Sequence, residues 1–161
     1  MKLIFMRHAE AQPKHDSDTE LDDYRRELVH EGMIHAKEMV LTCAFLWKNT
    51  KTIFTSSYPR AIQTAQILHR QFPKADFQMH TGLDKFAMPS EIIRFIHTLP
   101  NGSYTFVGHE PHLTDTIAKL VTGKSTPLVH LPKGGLVMLE GPGVSELKIR
   151  TVLSPRMVMR F

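Results

Sequence analysis

Cysteine is nearly absent: Cys43 is the only one in 161 residues. A lone thiol excludes an internal disulfide framework and a thiolate metal cluster, and it fits a reducing compartment. Flanked by Leu41, Phe45, Leu46 and Trp47, it reads as a buried space-filling thiol. Long apolar runs are missing as well. No stretch approaches the ~18 uninterrupted apolar residues of a membrane helix, and Lys2 to Met6 enters strand-like sequence without a leader's apolar run and small-residue site. A cytoplasmic protein without membrane contact is therefore expected. Blocks of one charge are also lacking: Lys and Arg number 20 against 16 Asp and Glu, a net charge of +4, and the basic residues are scattered. That pattern argues against nucleic acid and mildly favours a small anionic ligand. Repeats, low-complexity tracts and linkers are missing too, so a single domain over residues 1–161 is expected.

What is present is an alternation of short apolar runs with longer amphipathic ones. This is the pattern of an α/β fold, a three-layer α/β/α sandwich with a mainly parallel central sheet. Strands are expected at Lys2 to Met6, Thr52 to Thr55, Phe77 to Met79 and Tyr104 to Val107. A C-terminal hairpin pairs Leu136 to Leu139 with Leu147 to Val152 around Gly141-Pro142-Gly143. Helices are expected from Glu31 to Trp47, where Met33, Ala36, Met39, Val40, Cys43 and Leu46 recur at three-to-four spacing, and from Pro59 to Gln71. A further helix follows the N-cap Ser90 up to the Pro100-Asn101-Gly102 turn, and another runs from Pro111 to Val121. Gln12 to Arg26 has too few apolar residues for core and is read as a loop near the site.

Three strand ends carry the chemistry. Arg7-His8-Ala9 closes the first strand, on the rim where open α/β sheets bind ligands. Thr55-Ser56-Ser57-Tyr58-Pro59-Arg60-Ala61 leads from a strand into a helix, placing Arg60 in a first turn where amides and dipole favour an anion. The hydroxyls of Ser56 and Ser57 are expected to cap that helix. Val107-Gly108-His109-Glu110-Pro111 is another strand-to-helix junction. Two guanidinium forks and two imidazoles without an acidic cluster make a phosphate-sized site. A neutral imidazole can attack phosphorus while the other groups neutralise its equatorial oxygens, so the chemistry asks for neither metal nor cofactor.

These motifs, together with Ile62-Gln63-Thr64-Ala65, resemble those of the histidine phosphatase superfamily, with its phosphoglycerate mutase-like fold, over essentially the whole chain. Arg-His-Ala in place of Arg-His-Gly, the short length, and Asp23-Tyr24-Arg25-Arg26-Glu27-Leu28 followed by Glu31-Gly32 are similar to the SixA-type phosphohistidine phosphatase branch. There the matching stretch usually ends Arg-Pro-Leu, and Glu27 stands in place of that proline. The resemblance implies that His8 is the phosphorylated nucleophile, that Arg7 and Arg60 hold phosphoryl oxygens, that His109 bonds the transferring group, and that Arg26 reaches substrate. It implies a phosphorylated protein, such as a histidine phosphotransfer domain, or a small phosphorylated molecule as partner. Larger members of the family add an acid that protonates the leaving alkoxide. Asp84 is the best match by order, with Glu10 and Glu91 also available. An acid that is hard to place suits phosphohistidine, whose leaving group departs more readily than an alkoxide. The alternatives are a phosphatase of small phosphomonoesters and a phosphate- or phosphoprotein-binding module without turnover.

Other features read as ordinary structure. His109-x-x-His112 has metal-compatible spacing but no HExxH or cysteine partner, so His112 is assigned to the surface or to a supporting role. Gly123-Lys124-Ser125 loosely matches a phosphate-binding loop, yet a helix rather than a strand precedes it, and Gly123 is expected to terminate that helix. The dispersed methionines, Met33 and Met39 among them, are read as core filling.

Overall fold

In the computed structural model residues 1–158 are described. Six strands, β1 (Lys2–Arg7), β2 (Thr50–Thr55), β3 (Asp76–Met79), β4 (Ser103–Gly108), β5 (Leu136–Glu140) and β6 (Lys148–Leu153), form one sheet in the order β3-β2-β4-β1-β5-β6. The first four are parallel, and β5 and β6 run antiparallel at one edge. This is the expected three-layer α/β/α arrangement with a mainly parallel sheet.

The reason is legible in β1. Leu3, Ile4, Phe5 and Met6 are all fully buried, and because side chains alternate across a strand they serve two cores. Ile4 and Met6 pack with Met39, Val40, Trp47 and Leu68, whereas Leu3 and Phe5 pack with Ile92, Ile96, Leu113 and Ile117. Those partners come from α2 (His30–Thr42), Trp47 after it and α3 (Pro59–Gln71) on one face, and from α4 (Pro89–Thr98) and α5 (His112–Thr122) on the other. Cys43 is buried, and burial pushes its thiol up. Gly123 is left-handed at φ 73° and terminates α5.

Several local expectations are corrected. The Gln12 to Arg26 segment contains a helix, α1 (Glu20–Arg25), started by a capping box between Thr19 and Asp22. A polar helix of this kind owes its existence to its cap rather than to an apolar stripe. The helix expected to reach Trp47 ends at Thr42, and Ala44–Leu46 is a tighter 3₁₀ turn. Ser90 is not a cap: α4 starts at Pro89 after Met88, because proline already holds the φ of a first turn.

Register aligns the site. Arg7 sits opposite Gly108 on β1 and β4, and Thr55 opposite Val107 on β2 and β4. The residues that follow these three strands therefore emerge side by side on one rim.

Candidate active site

His8 follows β1 and is buried, its backbone N–H donating to the Gly108 carbonyl at 3.0 Å. Its Nδ1 lies 2.8 Å from the Ala9 carbonyl oxygen. A carbonyl only accepts, so Nδ1 carries the proton and the lone pair lies on Nε2. The Nε–H of Arg60 points at that Nε2 from 3.3 Å. Thr64 ties the elements together, accepting from Ala9 N–H at 3.1 Å and donating to the Arg60 carbonyl at 2.8 Å. Arg7 is anchored by Nη1 on the Leu131 carbonyl at 3.0 Å.

The His109 ring packs 5.1 Å from that of His8, centroid to centroid. Its Nε2 is 2.9 Å from Ser56 Oγ, which in turn is 2.8 Å from Asp84 Oδ1. Ser57 donates to both Asp84 oxygens, from its backbone N–H at 2.7 Å and from Oγ at 2.9 Å. Ser56 thus links His109 to Asp84 while Ser57 holds that carboxylate in place; apart from Ser56 Oγ accepting the Tyr58 N–H at 3.3 Å, neither serine caps the helix, whose start at Tyr58 has no side-chain cap, which corrects the capping role expected for them. His109 Nδ1 is buried without a protein partner among the described residues, leaving it as the ring nitrogen for a ligand.

Arg7, His8, Arg26, Arg60 and His109 line one cavity of about 130 Å³, and Lys14, Lys85 and Lys133 join them around it. The two histidines and three arginines expected from sequence are brought to this place. The sequence did not single out Asp23, a buried carboxylate in the same wall. It receives Arg26 Nη1 at 2.7 Å, Lys85 Nζ at 2.9 Å and Arg60 Nη2 at 3.3 Å, and its carbonyl accepts Arg60 Nη1 at 2.6 Å. Burial alone pushes the Asp23 carboxyl up. Hydrogen bonds from Lys85 and Arg26, with the Arg60 charge, outweigh this and hold it well below the usual carboxylate range. The Thr19/Asp22 capping box was the one local sign that this stretch folds.

The three expected acids are elsewhere. Both Asp84 oxygens are taken by the serines. Glu10 pairs with Lys133 at 2.5 Å, and Glu91 is exposed on α4. The cavity is lined instead by Glu110, from the same junction as His109. His112, expected at the surface or in support, is buried at the start of α5.

Burial, aided by the charges of Arg60, Arg7 and Lys133 and opposed by the Ala9 hydrogen bond, lowers the His8 pKa to about 3; burial with the neighbouring His8 and Arg60 lowers that of His109 to about 2. Both rings are neutral at pH 7. Between about 3 and the ordinary value near 6.5 the unfolded chain binds protons that the folded chain refuses, so stability falls as pH drops through this window. Urea unfolding at pH 7 and 5.5 is expected to show a loss of about 1 kcal/mol per histidine by this linkage, reduced in His8→Ala. An unchanged difference in that variant would contradict a neutral buried His8.

No protein-family model and no curated protein matches this sequence. Solved structures do match. One is the protein histidine phosphatase SixA complexed with tungstate, 18% identical, TM-score 0.82, covering 98% of this chain and 99% of that one. A SixA-designated protein from Agrobacterium tumefaciens is 21% identical with TM-score 0.76, covering 96% and 97%. A phosphoserine phosphatase from Entamoeba histolytica, in complex with 3-phosphoglyceric acid, is 15% identical with TM-score 0.70, covering 95% and 96%. The chain has the phosphoglycerate mutase-like fold. Within that fold it carries a histidine–arginine pocket at the carboxyl ends of β1, β2 and β4.

Proposed function

We propose that this chain is a phosphatase of the histidine phosphatase superfamily, acting through a phosphohistidine intermediate on His8. The observation that carries this reading is the unprotonated Nε2 of His8, 3.3 Å from Arg60 Nε, in the wall of a cavity also lined by Arg7 and His109. SixA, which shares the fold, holds tungstate, a tetrahedral oxyanion. In the first step His8 Nε2 attacks phosphorus and the leaving group departs. Arg7 and Arg60 bind the equatorial oxygens and neutralise the charge that develops there, while the neutral His109 ring, whose Nε2–H donates to Ser56, offers Nδ1 as an acceptor to a protonated phosphoryl oxygen. In the second step water attacks phosphorus, the P–N bond to His8 breaks, and inorganic phosphate leaves.

The preferred substrate is phosphohistidine on a phosphotransfer protein. A cleft of about 900 Å³ shares Arg7 and Lys133 with the small cavity and is also lined by Glu10, His35, His130 and Arg156, an approach in which cations outnumber the one carboxylate and which is broad enough for a polypeptide surface. The ester-directed alternative is favoured by the likeness to the phosphoserine phosphatase. Rates on a phosphorylated phosphotransfer domain and on sugar and nucleotide phosphates separate the two. The P–N substrate is expected to react at least about tenfold faster in kcat/KM, a difference of roughly 1.4 kcal/mol in barrier. Equal or better rates on the esters would overturn the phosphohistidine preference.

A further inference from the structure

Resting on the phosphatase reading, we infer that Asp84 and Ser56 are positioning residues: they lock His109 in its Nε2–H form, so that the pocket selects the phosphoryl group as a monoanion, with one proton still on oxygen. Ser56 Oγ meets three groups. It lies 2.8 Å from Asp84 Oδ1, 2.9 Å from His109 Nε2 and 3.3 Å from the backbone nitrogen of Tyr58. A hydroxyl has one proton to give and a carboxylate only accepts, so that proton goes to Asp84. His109 Nε2 is then the donor to Ser56, and the lone pair of the neutral ring lies on Nδ1. Asp84 is held in this role by Ser57, which donates to Oδ1 from its backbone at 2.7 Å and to Oδ2 from Oγ at 2.9 Å.

The rest of the ring's surroundings oppose a second proton on it. Burial acts first, then the neighbouring His8, Arg60 and Lys85, against the charge of Asp23. The Tyr58 ring packs edge-on at 4.8 Å, and Arg7 and Glu110 stand in the same cavity wall. His109 Nδ1 is buried without a partner among the described residues, and an acceptor left so is costly until a donor reaches it. A phosphoryl dianion brings it only further lone pairs, which repel. A monoanion brings a P–O–H. The arginines then serve the charged oxygens and His109 the protonated one.

The test compares the full wild-type chain with Asp84→Asn, Asp84→Ala and Ser56→Ala. The asparagine keeps a carbonyl oxygen for Ser56 to donate to. Asp84→Ala frees the Ser56 proton to turn toward Nε2, and Ser56→Ala removes the acceptor from Nε2. Nitrogen-15 chemical shifts of the His109 ring are expected to show Nε2–H in wild type and Asp84→Asn, and Nδ1–H appearing in the two alanine variants. With an alkyl phosphate, whose second pKa is about 6, kcat/KM is expected to fall by about 50-fold from pH 6 to pH 8 in wild type and Asp84→Asn. In the alanine variants the fall should be no more than about fivefold. An Nδ1–H ring in wild type would overturn the inference. So would an equal fall in all four proteins, which would trace to another group such as Glu110, whose carboxyl burial pushes up. Should the alanine variants fail to fold, the wild-type tautomer still decides. A wild type with the Nε2–H ring and no turnover sinks the phosphatase reading and leaves the Asp84–Ser56–His109 chain standing.

Discussion

His8→Ala is expected to lose turnover by about 10⁴-fold or more while remaining folded, because no other group can form the covalent intermediate. The ring bonds only its neighbour's carbonyl, Ala9, and Arg60 Nε at 3.3 Å, and Arg60 remains held by Asp23 through Nη1 and Nη2 when the ring is removed. Its packing against His109 at 5.1 Å is replaced by space that a pocket already open to water can hydrate. The measurements are kcat on 4-nitrophenyl phosphate and denaturing capture of labelled phosphate on the chain. Wild-type turnover in the variant would mean that water attacks phosphorus directly. Absence of capture in wild type with every donor tried would favour the binding module without turnover.

Asp23→Ala is expected to act on stability and rate together, and in a way that general loosening would not imitate. Removing a buried carboxylate shared by Arg26, Arg60 and Lys85 leaves cations crowded without compensation, at a cost of about 3 kcal/mol. Arg60 keeps the Asp23 carbonyl as an anchor for Nη1 but loses the carboxylate at Nη2. The Arg60 guanidinium in the cavity wall is no longer oriented, and kcat should fall by about 100-fold. Inorganic phosphate should meanwhile inhibit more tightly, because the pocket has lost a negative charge. Urea unfolding, kcat per folded molecule and phosphate inhibition check the three parts. A folded variant with unchanged kcat would remove Asp23 from the positioning of Arg60.

How much of this was legible beforehand follows from what each residue depends on. The span of α3, Pro59–Gln71, was readable because proline at its start and an apolar stripe along it are local signals. The strands around the site were readable because runs such as Leu3 to Met6 must be apolar on both sides of a covered sheet. α1 was not, since it has no stripe and is set by its cap. Nor were the partners of Ser56 and Ser57. Asp84 lies 28 and 27 residues further on, and only the pairing of β2 with its neighbours brings it to the serines.

The amino-acid order alone determined the layers and the three strand-end motifs that carry Arg7, His8, Arg60 and His109, because periodicity and strand-to-helix junctions are written within a few neighbouring residues, whereas Arg26 was picked out only by the likeness to a known family. Tertiary structure decided which ring nitrogen of His8 is free, that Asp23 gathers three cations, and that Glu110 rather than Asp84 faces the cavity. Those outcomes depend on burial and on charges meeting across distant segments, as between Asp23 and Arg60, 37 residues apart. Such encounters have no period along the chain.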